Sequence, residues 1–403
     1  MAVAPRQRGS RLLVLGAGAA QLGLLAAARA RGLYVIAADR DPGAPGFRFA
    51  DRRAIVSVED EVGIERLADA ERVDGVIAPG IDWPVAVAAR VAAQLGLAHP
   101  LPPEVAARTV SKLKQRECFD RAGVAQPRWK LVQGPDDELG YPCVVKAPDR
   151  QGQRGLSLVG SPDELEPAVG RALAASRNRH CVIEELVEGP EVTVNALLRD
   201  GRFEPLTVTD RVTAAPPAFG VALAHVWPSE AAGAEAVEVA RRAAEALELR
   251  EGPVYAQLRV GERGPQVVEL AARLGGGHDA ELCRAALGLD LNGAALAAAL
   301  GDEGLVEPPV EGAGGACVCF LVPPEGSLEE VTGLDEARRA PGVRDVWSYR
   351  RPPHVFGPLR RGADRAGAVL ATGGTRGEAR ARAGRAADLV RFVTADVDAQ
   401  ALV

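Results

Sequence analysis

Lysine is nearly missing from this chain. Of 48 lysines plus arginines only four are lysine, Lys112, Lys114, Lys130 and Lys146, and all four fall within one short segment. A chain that uses arginine almost everywhere keeps lysine where a compact ammonium is needed and the planar guanidinium fork cannot replace it. Lys146 is the strongest case of this; Lys114 and Lys130 read as ordinary solvent-facing residues. No run of about eighteen apolar residues is present, which excludes a sequence-evident membrane helix. Basic blocks are also absent, and the net charge is −6, so the clustered cations of a nucleic-acid footprint are lacking. Six cysteines form no C-x-x-C pair, and Cys317 and Cys319 alternate along a strand-like run, so they read as buried thiols. Five scattered histidines without H-x-x-x-H spacing argue against a histidine metal cluster. The short basic start, Met1 to Ser10, does not read as a cleaved signal, and a cytoplasmic location is expected.

What is present divides into lobes, as a length of 403 residues demands. Arg11 to Leu15, a turn at Gly16-Ala-Gly18, a helical stretch from Ala20 to Arg31 and an apolar run from Tyr34 to Ala38 make a β-α-β unit. Further alternation to about residue 95 predicts a small parallel sheet, and Pro100 to Pro103 marks a boundary. Beyond it, helix 112–122 ends at Gly123, strands are expected at about 128–132 and 142–146, and Gly152 to Gly160 reads as a glycine-rich hairpin. Alternating runs at 191–198, 203–209, 221–227, 254–260 and 266–271 predict half-buried antiparallel strands, the last two joined by Gly261-Glu-Arg-Gly264. The Pro- and Gly-rich stretch Glu307 to Gly315 links to a final α+β segment.

Four pieces carry chemistry. Gly16-x-Gly18 lies where a strand feeds a helix, with Asp39 at the end of the next strand, but the third glycine of a dinucleotide fingerprint falls at Gly23, outside its required place. A tight turn without NAD explains it equally well. Lys146 ends an apolar strand and faces Gly152 to Gly155, a way to hold phosphates with a point charge and a flexible cover, although no Walker A loop is present. Glu184, Glu185 and Val187 begin as a strand edge whose backbone can meet an adenine, and Glu191 stands in reach of a ribose. Gln257 and Glu269 sit on paired strands and offer oxygen to Mg²⁺, with Arg273 and three glycines following.

The order of these pieces resembles the ATP-grasp superfamily: Ser111-Lys112, Arg116, Ala122-Gly123, Val-Val-Lys146, Glu-Glu-Leu-Val-Glu-Gly-Pro-Glu191, Gln257, Glu269 and Arg273-Leu-Gly-Gly-Gly277. Arg-Leu-Gly-Gly-Gly-His278, Thr209-Asp-Arg and His225-Val-Trp-Pro-Ser229 are similar to the L-amino acid ligases within it. The resemblance implies an α/β and α+β chain: a Rossmann-like domain at 1–99, a two-lobed ATP-grasp region at 100–310 with a small mobile lobe at about 126–185, and a segment at 311–403 completing the large lobe. It implies that Lys112, Lys146 and Gln153 meet the phosphates, that Glu184, Glu185 and Val187 hold adenine, and that Glu191 holds ribose. Gln257 and Glu269 are the implied metal ligands for Mg²⁺, with Mn²⁺ as a substitute. Arg273 and Lys146 are the implied catalytic residues; Arg273, Gly276, Gly277 and His278 are implied at the substrate. The implied reaction joins a carboxylate to an amine, amino acids foremost, through an acyl phosphate, with no nucleic-acid or membrane partner and a homodimer as the expected assembly. Ala271 departs from the pattern, standing where the family has Asn, and Gln257 is neutral where most members have Glu. A catalytically altered or non-catalytic nucleotide-binding protein is therefore the competing expectation.

Overall fold

The computed structural model describes residues 9–132 and 139–396. The stretch before residue 9 and the last seven residues of the C-terminal segment lie outside the described residues. The N-terminal run alternates as expected through β1 (Arg11–Leu15), α1 (Leu22–Ala30), β2 (Tyr34–Asp39), β3 (Arg52–Ile55), α2 (Glu61–Glu71), β4 (Gly75–Ile77) and α3 (Trp83–Leu95). The four strands form one parallel sheet in the order β3-β2-β1-β4. β1 is apolar throughout its last four residues because both faces are covered, and Leu12 to Leu15 are fully buried.

Two short helices follow, α4 (Pro103–Thr109) and α5 (Lys112–Ala122). Ser111 caps α5, its hydroxyl accepting from the Lys114 amide at 3.4 Å, and Gly123 closes it in the left-handed conformation. The cap fixes Lys112 at the first turn, beside the loop that follows Lys146.

A small lobe comes next: β5 (Trp129–Val132), β6 (Cys143–Lys146), β7 (Leu156–Val159), α6 (Pro162–Ala175) and β8 (Cys181–Glu185). Its antiparallel sheet runs β5-β8-β6-β7, with a core of its own around Val132, Val145, Val159, Leu165 and Ile183. A separate core is the physical condition for a lobe to move as a unit.

The chain then builds β9 (Glu191–Arg199), β10 (Arg202–Thr213), β11 (Ala222–Trp227), α7 (Ala234–Ala246), β12 (Gly252–Gly261), β13 (Gly264–Ala271), α8 (Asp279–Leu287) and α9 (Leu291–Leu300). The C-terminal part supplies β14 (Gly315–Leu321), β15 (Gly326–Thr332), α10 (Leu334–Arg339), β16 (Val343–Ser348), β17 (Val355–Phe356), β18 (Gly367–Gly373), α11 (Arg376–Ala387) and β19 (Arg391–Ala395). Eight of these strands form one antiparallel sheet, β13-β12-β9-β10-β11-β14-β18-β16, so strands from either side of residue 311 share a ladder. Its core merges with that of the N-terminal sheet, Leu13 and Ile36 belonging to the same packed cluster as Val194, Leu258 and Leu270. The floor between them is thereby rigid, while the small lobe stands above it. Among the described residues no helix is long and apolar enough to cross a membrane.

Candidate active site

The site begins with a buried charge chain. Arg116, on α5, is 1% exposed and donates through Nε to Glu184 Oε1 at 2.7 Å, and through its other nitrogens to the carbonyls of Val267 and Val268 at 3.1 and 2.6 Å. One guanidinium thus fastens α5, the end of β8 and β13 together. The second Glu184 oxygen receives Lys146 Nζ at 2.7 Å. Burial alone would raise the Glu184 carboxyl, yet Arg116 and Lys146 hold it at about 2. Burial, aided by the like charges of Arg116 and Lys112, pulls the Lys146 ammonium down to about 8 against the attraction of Glu184. Lys112 Nζ donates to Glu269 Oε1 at 2.8 Å and to the Arg150 carbonyl at 2.9 Å. Burial opposes ionisation of Glu269, but Lys112 keeps it at about 2.

Lys112, Lys146, Glu184 and Glu269 line a cavity between the small lobe and the large sheet, with Arg116 behind its wall. Its wall includes Lys112, Lys146, Gln153, Glu184, Glu185, Val187, Glu191, Gln257 and Glu269, so every nucleotide- and metal-site residue expected from the sequence reaches this one space. Pro127, Val144, Leu156 and Val268 supply apolar surface at the same cavity, suited to the faces of a flat base. Two expected side chains are otherwise engaged. The Glu185 carboxylate takes the Arg128 amide at 3.0 Å and its Nε at 2.6 Å, while the Glu185 amide donates to the Arg128 carbonyl at 2.9 Å. Glu191 pairs with Arg211, the arginine of the Thr209-Asp-Arg motif to which the sequence assigned no role, and lies 3.5 Å from Arg259, which sequence reasoning missed because arginine is common throughout this chain.

A second, open cleft lies between the N-terminal sheet and the large sheet. It shares Gln151, Gly152, Gln153, Arg154, Arg211, Gln257 and Glu269 with the first, so Gln257 and Glu269 stand where the two spaces meet. Arg273, Gly276 and Gly277 line this second cleft. The glycines are needed for close approach: a Cβ at Gly276 would meet the Gly80 carbonyl at 2.9 Å, and one at Gly277 would meet the His225 ring at 2.5 Å. Arg273 is held by Asp82, whose Oδ1 accepts Nε at 2.8 Å and lies 2.5 Å from the terminal nitrogen. His278 is placed behind the lining, with φ 60°, its ring stacked on Trp347 at 3.8 Å and Nε2 2.6 Å from the Tyr349 hydroxyl. Tyr349 is the member of that stack that faces the cleft.

Gln257 and Glu269 are direct partners across the β12–β13 ladder. With Ala271 contributing no donor, the protein offers one carboxylate and one amide to a cation, and among the described residues no group of three His, Cys, Asp or Glu could hold a metal. That donor set fits a hard cation that draws most of its shell from phosphate and water, as Mg²⁺ does. The Gly16-x-Gly18 turn is otherwise occupied. The buried Gln21 stands at the place of the missing third glycine and donates to the Pro79 carbonyl at 2.6 Å, while Asp39 accepts from the Ala17 amide at 2.8 Å. Asp39 is spent on the loop itself, and Gln21 on tying it to the segment after β4.

Residues 139–281 match the ATP-grasp domain, and residues 319–395 match the L-amino acid ligase C-terminal domain 2. A formate-dependent phosphoribosylglycinamide formyltransferase from Burkholderia thailandensis is 30% identical, with 96% of each chain covered. The chain belongs to the ATP-grasp family. Among solved structures, the L-amino acid ligase from Bacillus licheniformis superposes with a TM-score of 0.79 at 21% identity, covering 97% of this chain and 100% of that one. The N5-carboxyaminoimidazole ribonucleotide synthetase from Thermotoga maritima gives 0.72 at 21% identity, covering 96% and 100%. As an ATP-grasp enzyme of the carboxylate–amine ligase type, the protein uses ATP and Mg²⁺ to form C–N bonds.

Proposed function

We propose that this ATP-grasp enzyme activates a small carboxylate, an amino acid foremost, and joins it to an amine with release of ADP and phosphate. The observation that carries the reading is the meeting of two cavities at Gln257 and Glu269, one lined by Lys112 and Lys146, the other by Arg273. A free carboxylate repels nucleophiles and has oxide as its leaving group, so amide formation in water requires that oxygen to leave as phosphate. The substrate carboxylate oxygen attacks the γ-phosphorus while the bond to ADP breaks; the amine then attacks the acyl carbon, phosphate departs, and the nitrogen gives up a proton. Lys112 and Lys146 draw phosphate charge on one side, and Arg273 faces the new acyl phosphate on the other. Glu269 and Gln257 are the residues that would hold Mg²⁺, which would supply neutralisation of the phosphate charge.

Arg365 supports an anionic substrate. Its guanidinium lines the second cleft, lies 3.7 Å over the Phe320 ring, and donates to the carbonyls of Gly362 and Ala222 at 2.8 and 3.2 Å. Burial lowers its pKa, and among the described residues no carboxylate pairs with it. A half-buried cation facing an open cleft without a counter-charge favours a ligand that brings one. The match over 319–395, which includes Arg365, favours an amino acid as that ligand.

The non-catalytic alternative rests on Gln257 and Ala271. Intact pairing of Lys112, Lys146, Glu184 and Glu269 around one cavity weighs against it, since a site released from catalysis has no reason to keep buried charges. The test is ADP and phosphate release with pooled amino acids and amines, beside separate arms containing formate with phosphoribosylglycinamide. Acid- and amine-dependent ADP release in the amino-acid arm is the expected result. Release confined to the formate arm would replace the substrate class, and tight ATP binding without release in any arm would defeat the ligase reading.

A further inference from the structure

We propose that the first residues of α3 couple closure of the small lobe to the orientation of Arg273, with Asp82 as a positioning residue and Arg177–Trp83 as the closing contact. The inference rests on the reading of Arg273 as the group that faces the acyl phosphate. Arg177 lies in the small lobe, in the turn between α6 and β8. Its guanidinium stacks over the Trp83 ring at 4.0 Å and pairs with Glu59 at 2.7 Å, both residues of the N-terminal domain. The same side chain donates to the Asp149 carbonyl at 2.5 Å, and the Asp149 carboxylate accepts the Arg177 amide at 2.8 Å. Asp149 is buried and follows Lys146 by three residues. The lysine that faces the phosphates and the arginine that reaches the N-terminal domain are therefore carried by one braced unit.

Trp83 is adjacent to Asp82, whose carboxylate does not cap α3. It grips Arg273 instead, through two contacts to Oδ1, and is itself 7% exposed. Both contacts are held by consecutive residues at one helix start, and the two partners come from different lobes. A helix start packed in the rigid core cannot shift one residue without shifting its neighbour, so docking Arg177 on Trp83 biases where Asp82 holds Arg273. A cation on an indole face is a fitting closure contact, being favourable when dry and easily released when water returns. The physical benefit is timing: Arg273 is set only when the lobe covering the phosphates has shut and excluded water from the intermediate.

The full chain labelled with 5-fluorotryptophan gives four resonances, and Trp83→Phe assigns the one of interest. AMP-PNP with Mg²⁺ should move the Trp83 resonance in the natural chain and leave it nearly still in Arg177→Ala, with Arg177→Lys between them. By the reciprocity of coupling, Asp82→Asn and Arg273→Gln at saturating nucleotide should return it part of the way toward the Arg177→Ala position. Unchanged Trp129, Trp227 and Trp347 resonances show that each variant is folded. In turnover, Arg177→Ala should lower kcat about tenfold with KM for ATP within about twofold, and the Arg177→Ala/Asp82→Asn pair should lose less than the product of the two single losses. A Trp83 resonance indifferent to Asp82→Asn and Arg273→Gln would overturn the coupling whatever the turnover shows. Absence of acid-dependent ADP release from the natural chain would instead remove the ligase reading and leave the fluorine result standing.

Discussion

Lys146 Nζ and Glu184 Oε2 lie 2.7 Å apart with both side chains almost wholly buried, and Arg116 holds the other oxygen of the same carboxylate. The carboxylate is shared between a cation that fastens three elements and a cation that faces a cavity. Only the second can turn toward a nucleotide without loosening the fold, and this division of labour sets the first expectations.

Lys146→Ala should abolish turnover, by on the order of 10²–10³ or more in kcat, because one preorganised contact to the transferring phosphoryl group is lost. Glu184 keeps Arg116, so the variant should remain folded, with a cooperative melt only a few degrees lower. Lys146→Arg should not rescue it, since the guanidinium fork needs more room than the ammonium leaves. Calorimetry beside ADP release checks both parts. An active Lys146→Ala enzyme would remove this lysine from the phosphate site.

The pH profile follows from the same residue. The Lys146 ammonium is drawn down to about 8 in the folded chain, so it is charged below that pH and loses its charge as pH rises through it. kcat/KM for ATP reports the free enzyme, and should fall with an apparent pKa near 8. kcat should hold to higher pH, because bound phosphates favour the charged lysine. Initial rates across about pH 6.5–9.5 at varied ATP test this; a profile flat through 8 for kcat/KM would contradict it.

Particular residues show what the sequence made legible. Because lysine is scarce, Lys112 and Lys146 stood out, and the structure puts both at one cavity. The Gly261 to Gly264 turn predicts the β12–β13 hairpin, but its register alone would set Gln257 opposite Val268; a register shift between Gln257 and Leu258, which the sequence does not announce, brings Glu269 opposite Gln257 instead. β3 left no signal: Arg52–Ile55 is an edge strand of mostly exposed residues, without the apolar alternation that marks a strand. Asp82 and Arg273 are 191 positions apart, and no local pattern foretells a pairing between lobes. Arg365 was hidden by composition, one arginine among many. The resemblance implies His278 at the substrate, but its positive φ turns the ring toward Trp347 and Tyr349.

The departures at the cation site give a gain-of-function expectation. Gln257 and Glu269 face each other with Ala271 beside them, so adding donors at 257 and 271 should tighten divalent binding. Gln257→Glu with Ala271→Asn should raise Mn²⁺ affinity several-fold in the presence of ADP, read by electron paramagnetic resonance of free Mn²⁺. Equal affinity in the natural and doubly substituted chains would mean that the missing donors are supplied elsewhere in the site.

Arg365 gives the expectation most specific to the substrate. Its guanidinium has backbone carbonyls and the Phe320 ring as partners but no carboxylate among the described residues, so a bound anion would be its counter-charge. Arg365→Met keeps much of the volume and removes the charge. It should raise KM for the acid by about ten- to a hundredfold, the range of 1.5–3 kcal/mol for a hydrogen bond to a charged group, and leave KM for ATP within about twofold. Arg365→Lys should recover part of the loss, because the charge returns without the planar fork. The assignment depends on that split between the two substrates: equal increases in both KM values would make Arg365 a structural brace between the Gly362 and Ala222 carbonyls, and an unchanged KM for the acid would place the anion elsewhere in the cleft.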